Sequence, residues 1–203
     1  MNNELEQLRR RFSAHTPGLM GARREFAVLC PIVEKEDGSH LLFEVRSDNV
    51  SQAGEVCFPG GRMEPGETPE EAALRETREE LAISPDEISV LGPTDFICNQ
   101  SGFLLHPVIG LVSEAGLRSI CPSAAEVAEY FTVPLAFFRA TPPQIYHYDL
   151  LPQVPEDFPY DAIGVSRDYP WRKGRQNVPI WFYEGHAIWG MTGRIVMHLI
   201  EEA

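Results

Sequence analysis

GRMEPGETPEEAALRETREELAI, residues Gly61 to Ile83, sets a crowd of carboxylates beside a glycine-rich turn. Thr68, Pro69 and Glu71 spell a capping box: the hydroxyl takes an orphan amide, proline fills the first helical position and the glutamate reaches back. The spacing predicts a helix from about Thr68 to near Ala82, because Glu70 to Glu76 are mostly strong helix formers and nothing before Pro85 forbids continuation. At about 100° per residue, Leu74, Thr77 and Leu81 fall on one stripe with Ala73 beside it, while Glu76, Glu79 and Glu80 gather opposite. One face is expected to pack and the other to be acidic.

Glutamates spaced three and four residues apart on a helix repel one another by roughly a few tenths of a kcal/mol per pair. A divalent cation turns that repulsion into coordination. Mg²⁺ suits the ligands, since it takes oxygen donors, keeps several waters and binds through carboxylates together with substrate phosphates. The competing reading is a solvated acidic face, the usual fate of surface glutamates. Isolated Glu-Glu pairs would favour it; the full string, with glycine, glutamate and arginine at fixed offsets, does not.

That string resembles the Nudix box: glycine, five residues, glutamate, seven residues, Arg-Glu, an apolar residue, one residue, Glu-Glu, one residue, glycine and an apolar residue. Gly61, Glu67, Arg75, Glu76, Glu79, Glu80 and Ile83 match it. Thr77 stands where an apolar residue is common, and Ala82 replaces the late glycine, which a helix end accepts if its backbone stays right-handed. The segment from Leu41 to Gly61 resembles the approach to the box in coenzyme A pyrophosphatases, with Arg46, Ser47, Gly54, Phe58, Pro59, Gly60 and Gly61 in place. The loop from Asp48 to Ala53 is about one residue short against that pattern and lacks the basic residue often found there. His186 to Ile200 resembles the C-terminal helix of the same group.

The resemblance implies an α/β (α+β) fold, a Nudix-type α/β/α sandwich with a central mixed sheet, and Mg²⁺ or Mn²⁺ as cofactor. It implies Glu76 and Glu80 as metal ligands, Glu79 as a third ligand or water-orienting group, and the Gly60 carbonyl as a further donor. Arg75 and Glu67 are expected to form an ion pair that fixes the helix against the turn. A general base is expected either from the box or from a later loop, just before the strand around Phe131, where related enzymes recruit a carboxylate and Glu126 is preferred over Glu129. The implied reaction is hydrolysis of the diphosphate of coenzyme A or its thioesters, giving 3′,5′-ADP and a phosphopantetheine product. Alternatives are a Nudix hydrolase of ADP-ribose or another nucleoside diphosphate derivative, and a noncatalytic nucleotide sensor. An isomerase on the same fold would need His and Cys near the metal, and nothing in the spacing shows them converging.

For the substrate, Arg46 and Arg62 are phosphate-binding candidates. The WRKGR cluster of Arg172, Lys173 and Arg175, flanked by Tyr169 and Trp171, is expected to meet the adenosine end and its 3′-phosphate; the plain alternative is a solubilising patch. His106, His147, His186 and His198 are expected to pack or lie at the surface.

Composition agrees with this reading. The 203 residues suit one domain, 1–203, with a real core, being 43% hydrophobic and 10% aromatic. A net charge of −13 argues against nucleic-acid binding, which demands a basic surface, but not against a phosphate substrate, since a bound metal inverts the local field. The sequence contains no long apolar run, and MNNELEQLRRRF is too polar for a secretory signal, so neither membrane nor export is expected and cytoplasm is the default. Cys30, Cys57, Cys98 and Cys121 lack paired short spacings and are expected to stay reduced. A homodimer is expected from the resemblance alone.

Beyond the box, a helix is expected over 3–13, with strands at Glu25–Val33, His40–Arg46 and Val56–Phe58. Further strands are expected at Ile88–Cys98 and Phe103–Val112, around a turn at Gln100–Gly102, and then at Glu129–Val133, Gln144–Leu150 and Ile180–Tyr183. Pro134–Arg139 reads as a short helix, Leu151–Pro179 as a long ordered loop, and His186–Glu202 as a closing helix with Ile188, Met191, Ile195 and Leu199 on its apolar side.

Overall fold

In the computed structural model, which describes residues 3–16, 18–21, 24–99 and 101–202, the fold is organised by a hairpin that splits. After α1 (Asn3–Phe12), strands β1 (Arg24–Lys35) and β2 (Gly38–Arg46) pair only from Ile32↔Leu41 to Lys35↔Gly38. Below that they part. The returning chain fills the gap, with β3 (Val56–Cys57) on Glu44–Val45 of β2 and β4 (Gly60–Arg62) on Phe26–Val28 of β1. The glycine turn is thereby built into the middle of the sheet, and α2 (Pro69–Leu81) leaves it to lie across one face.

Strand β5 (Ile88–Pro93) follows a 3₁₀ turn at Pro85–Glu87, and β6 (Ile97–Cys98) precedes β7 (Phe103–Val112). β7 runs parallel to β1 over ten registered positions, from Arg24↔Phe103 to Val33↔Val112, which makes the sheet mixed. β5 and β6 pair antiparallel with β7. A short helix α3 (Glu114–Arg118) leads to β8 (Val127–Pro134), which pairs with β2. Then come α4 (Leu135–Ala140), β9 (Gln144–Leu150), β10 (Gly174–Tyr183), β11 (His186–Ile188) and α5 (Gly190–Glu202). The last three strands form a separate antiparallel sheet.

Alternation along β2 sorts its side chains onto two cores. Leu41 and Phe43 join Phe58, Phe138, Trp181, Ile195 and Val196 on the face covered by α5, whereas Leu42 joins Ala27, Leu29, Ala72, Ala73 and Leu81 beneath α2. A strand buried on both sides reads as a nearly continuous apolar run. This is the helix–sheet–helix sandwich expected, and the four cysteines are free. Among the described residues no helix is long and apolar enough to cross a membrane.

Several boundaries differ from expectation. The segment expected as a loop to Pro179 becomes strand at Gly174, because β10 pairs with β9 from Gly174↔Leu150 to Ile180↔Gln144. The closing helix starts at Gly190, not His186: Glu184 (φ 47°) and Gly185 (φ 88°) make a two-residue hairpin turn that returns His186–Ile188 onto β10. Helix α5 consequently buries Thr192, Gly193, Ile195 and Val196, while Ile188 belongs to a strand and Met191 is exposed. The strand expected over 88–98 breaks into two, and α3, capped by the Ser113 hydroxyl, was not anticipated. Gln100 lies outside the described residues.

Candidate active site

Helix α2 begins as its sequence dictates. The Thr68 hydroxyl accepts from the Glu71 N–H at 3.2 Å, and the Glu71 carboxylate accepts from the Thr68 N–H at 2.8 Å. Its end departs from expectation, since Ala82 is left-handed (φ 59°, ψ 19°) with its N–H on the Arg78 carbonyl. Thr77 sits on the packing stripe, fully buried, and satisfies its hydroxyl on the Ala73 carbonyl at 2.7 Å.

Arg75 ties the helix to the turn. It donates two hydrogen bonds to Glu67 (2.7 and 3.1 Å), one to the Arg62 carbonyl (3.1 Å) and one to Glu76 (2.8 Å). The Arg75 hydrogen bonds, joined by one from the Glu64 N–H, hold the Glu67 carboxyl down at about 2. The expected ion pair is therefore present.

The three later glutamates do not share one solvated face. Glu79 is exposed, Glu76 is half-buried, and Glu80 is 6% exposed, its carboxylate accepting from the Gly60 N–H at 2.7 Å. Glu80 points inward because it follows Ala73 and Thr77 around the helix toward the sheet. The Glu76 carboxylate fills the space directly over Gly61, where a Cβ would collide with it.

Sequence reasoning missed Glu44. This β2 residue is 1% exposed; its Oε1 accepts from the Cys57 thiol at 3.3 Å, while Oε2 has no hydrogen-bond partner. The signal was available as a lone acid in the apolar run LLFEV. Glu126 arrives on a segment pinned at both ends: the Cys121 and Ser123 N–H groups bond to the Leu81 and Glu80 carbonyls, and Ser47 bonds to the carbonyls of Ala125 and Glu126. Glu129 goes elsewhere, to His186 at 3.4 Å.

Burial pushes the carboxyls of Glu80, Glu44 and Glu76 upward, and repulsion among these three and Glu126 adds to it. An orphaned buried oxygen amid mutually repelling carboxylates is a donor set that fits a hard divalent cation. Among the described residues, no three His, Cys, Asp or Glu side chains converge tightly enough to hold an ion as they stand. Glu76 is engaged by Arg75, and Glu80 by Gly60.

Two cavities flank the glycine turn and share Arg24. One, of about 580 Å³, runs from Gly60 and Gly61 to the start of α5 and is lined by Arg46, Tyr148, Gln176, Asn177, Trp189 and Arg194, with Phe26 and Phe103 stacked at 4.6 Å on its wall. The other, of about 810 Å³, holds Arg62, Glu67, Arg75 and Glu76. Arg172, Lys173 and Arg175 line neither. Arg175 pairs across the strands with Asp149 (3.3 Å), and Tyr169 and Trp171 pack on each other, with Phe158 also against Trp171. The histidines behave as expected: His186 stacks on Phe131 at 3.9 Å, His106 meets Glu25, His198 meets Asp95 and His147 is exposed.

The NUDIX domain family model matches residues 23–153, which hold the split hairpin, the box helix and the Glu126 segment. The chain belongs to the Nudix hydrolase family. Nudix hydrolases generally need divalent metal ions and act on diphosphate bonds. A Nudix hydrolase of Photorhabdus laumondii, NudL, is 35% identical over 181 residues, covering 88% of this chain and 84% of that one. The mouse protein described as peroxisomal coenzyme A diphosphatase NUDT7 is 36% identical over 136 residues, covering 66% of this chain and 56% of its own length. The Mycobacterium smegmatis Nudix hydrolase RenU shares the fold, with a TM-score of 0.50 at 23% identity over 58% of this chain and 74% of its own.

Proposed function

We propose that this Nudix hydrolase cleaves the diphosphate of coenzyme A or an acyl-coenzyme A with Mg²⁺ or Mn²⁺, releasing 3′,5′-ADP and 4′-phosphopantetheine or its acyl form. The observation that carries the reading is the 580 Å³ cavity beside the glycine turn, where Arg24, Arg46 and Arg194 gather in a chain of net charge −13. A substrate with a diphosphate and a separate phosphate needs cationic groups at more than one point. The likeness to the mouse protein named as a coenzyme A diphosphatase supports the same substrate class.

In this reading Glu76, Glu80 and the Gly60 carbonyl hold the cation, and Glu79, the most exposed of the three, is a further ligand or orients water. When bound, the ion neutralises nonbridging phosphate oxygens and acidifies water. Glu126 accepts the proton of the attacking water, and its place beside the box glutamates supports this choice over Glu129. Arg46 and Arg62 flank the diphosphate from the two cavities. Arg24 and Arg194 take the 3′-phosphate, a task the sequence suggested for Arg172, Lys173 and Arg175. Trp189, 41% exposed on the cavity wall, offers its face to adenine. Arg75 and Glu67 stiffen the turn and touch no substrate.

The test is turnover of coenzyme A, dephospho-coenzyme A and ADP-ribose by wild type and by Arg24→Ala/Arg194→Ala. Coenzyme A is expected to be preferred, and the double substitution to raise its KM far more than that of the dephospho form. Preference for ADP-ribose, or equal effects on both coenzyme forms, overturns the assignment.

A further inference from the structure

β2 is apolar from Leu41 to Val45 except at Glu44, the one acid sealed inside that run. Alternation puts it on the same face as Leu42, which packs among Ala72, Ala73 and Leu81, so Glu44 faces the helix that carries the box glutamates. Its only hydrogen bond is a weak one from a thiol. Arg46 lies near enough to favour its charge, but among the described residues no arginine or lysine forms an ion pair with it: Arg46 gives its Nε to the Ser51 carbonyl, and Arg75 is taken by Glu67, Glu76 and Glu79. A buried carboxylate with a bare oxygen is retained at heavy cost unless something positive completes it. Glu76 and Glu126 repel it, and it in turn repels Glu80, so its carboxylate lies beside those of the box helix and the Glu126 segment.

We propose that Glu44 is a further carboxylate ligand of the cation site, its Oε2 supplying from the sheet floor a donor that α2 cannot. The inference rests on the cation-dependent reading above and deepens it. It gives the unpartnered oxygen a function, and it explains why a strand position suited to an apolar residue carries an acid.

The experiment is Mn²⁺ titration without substrate, following free ion by electron paramagnetic resonance, for wild type, Glu44→Gln and Glu80→Gln, with melting curves in EDTA. Loss of a ligand is expected to weaken Mn²⁺ at least about tenfold, the lower bound for groups that only support ligands. The metal-free Glu44→Gln protein is expected to melt at or above wild type, because a buried repulsion is gone. Wild-type Mn²⁺ affinity in Glu44→Gln, with affinity lost in Glu80→Gln, overturns the inference and leaves the cation site standing. No Mn²⁺ uptake by wild type overturns both. If Glu44→Gln does not fold, Glu44→Asp decides: it keeps the charge but retracts the oxygen, so weakened Mn²⁺ binding supports a ligand and undiminished binding refutes one.

Discussion

The Glu80 carboxylate accepts a 2.7 Å hydrogen bond from the Gly60 N–H, joining the last turns of the box helix to a glycine twenty residues earlier. That bond fixes the Glu80 carboxylate relative to the sheet. A Cβ on Gly60 would meet the backbone of Ala27 and Val28 at φ +153°, whereas one on Gly61 would meet only the movable end of Glu76. Gly60→Ala is therefore expected to lower Tm, with about 1–3 kcal/mol from backbone strain alone. Gly61→Ala is expected to melt nearly as wild type yet bind Mn²⁺ more weakly. Melting curves and Mn²⁺ titration of the two proteins check this; the reverse pattern contradicts it.

Ala82 pays for its left-handed backbone, which disfavours an L side chain by about 1–2 kcal/mol. Ala82→Gly is expected to stabilise the protein by roughly 1 kcal/mol, seen as a rise of about 2–4 °C in Tm for a chain of this size. A fall in Tm would mean that the Ala82 methyl contributes packing worth more than the strain.

Glu67 has its carboxyl lowered from 4.5 to about 2 by Arg75. A depressed carboxyl contributes stability that is complete above its unfolded value and is lost as pH falls toward the folded one. Glu67→Gln is expected to melt below wild type at neutral pH, with the gap narrowing steadily below about pH 4.5. Differential scanning at stepped pH measures the gap; one that is constant with pH shows that the pair contributes through shape, not charge.

Glu126 is held among the box carboxylates, and Glu129 beside His186. Glu126→Gln is expected to lower kcat on coenzyme A by about 10²-fold or more, as for loss of a general base. Glu129→Gln is expected to leave kcat close to wild type. Steady-state kinetics at saturating metal separate them, and equal losses would move the base to another group.

Residues that act through local rules were legible in the sequence. Thr68 and Glu71 start the helix by a bond pattern spanning three residues, and Arg75 finds Glu67 across one turn and a loop. Gly60 and Gly61 were recognisable through the resemblance to the box and its approach segment. Illegible parts depended on the sheet. Glu44 comes to lie beside Cys57 only because the hairpin splits and lays β3 against β2, and Arg24 and Arg194 line one cavity only once β1 and α5 are folded to its walls. Arg172, Lys173 and Arg175 stood out by charge; Arg175 pairs with Asp149 on the exposed β9–β10 ladder, next to Gln176 on the wall of the first cavity, a placement set by strand pairing and not by composition. The early start assigned to the last helix failed where two positive-φ residues, Glu184 and Gly185, made a hairpin that periodicity does not register.

The most direct test is phosphorus NMR of coenzyme A incubated with the pure protein and Mg²⁺ or Mn²⁺, beside Glu79→Gln and Glu80→Gln. Loss of the diphosphate signals with growth of 3′,5′-ADP and phosphopantetheine, dependent on the ion and abolished in Glu80→Gln, is the predicted result. An intact diphosphate in the presence of either ion contradicts the account.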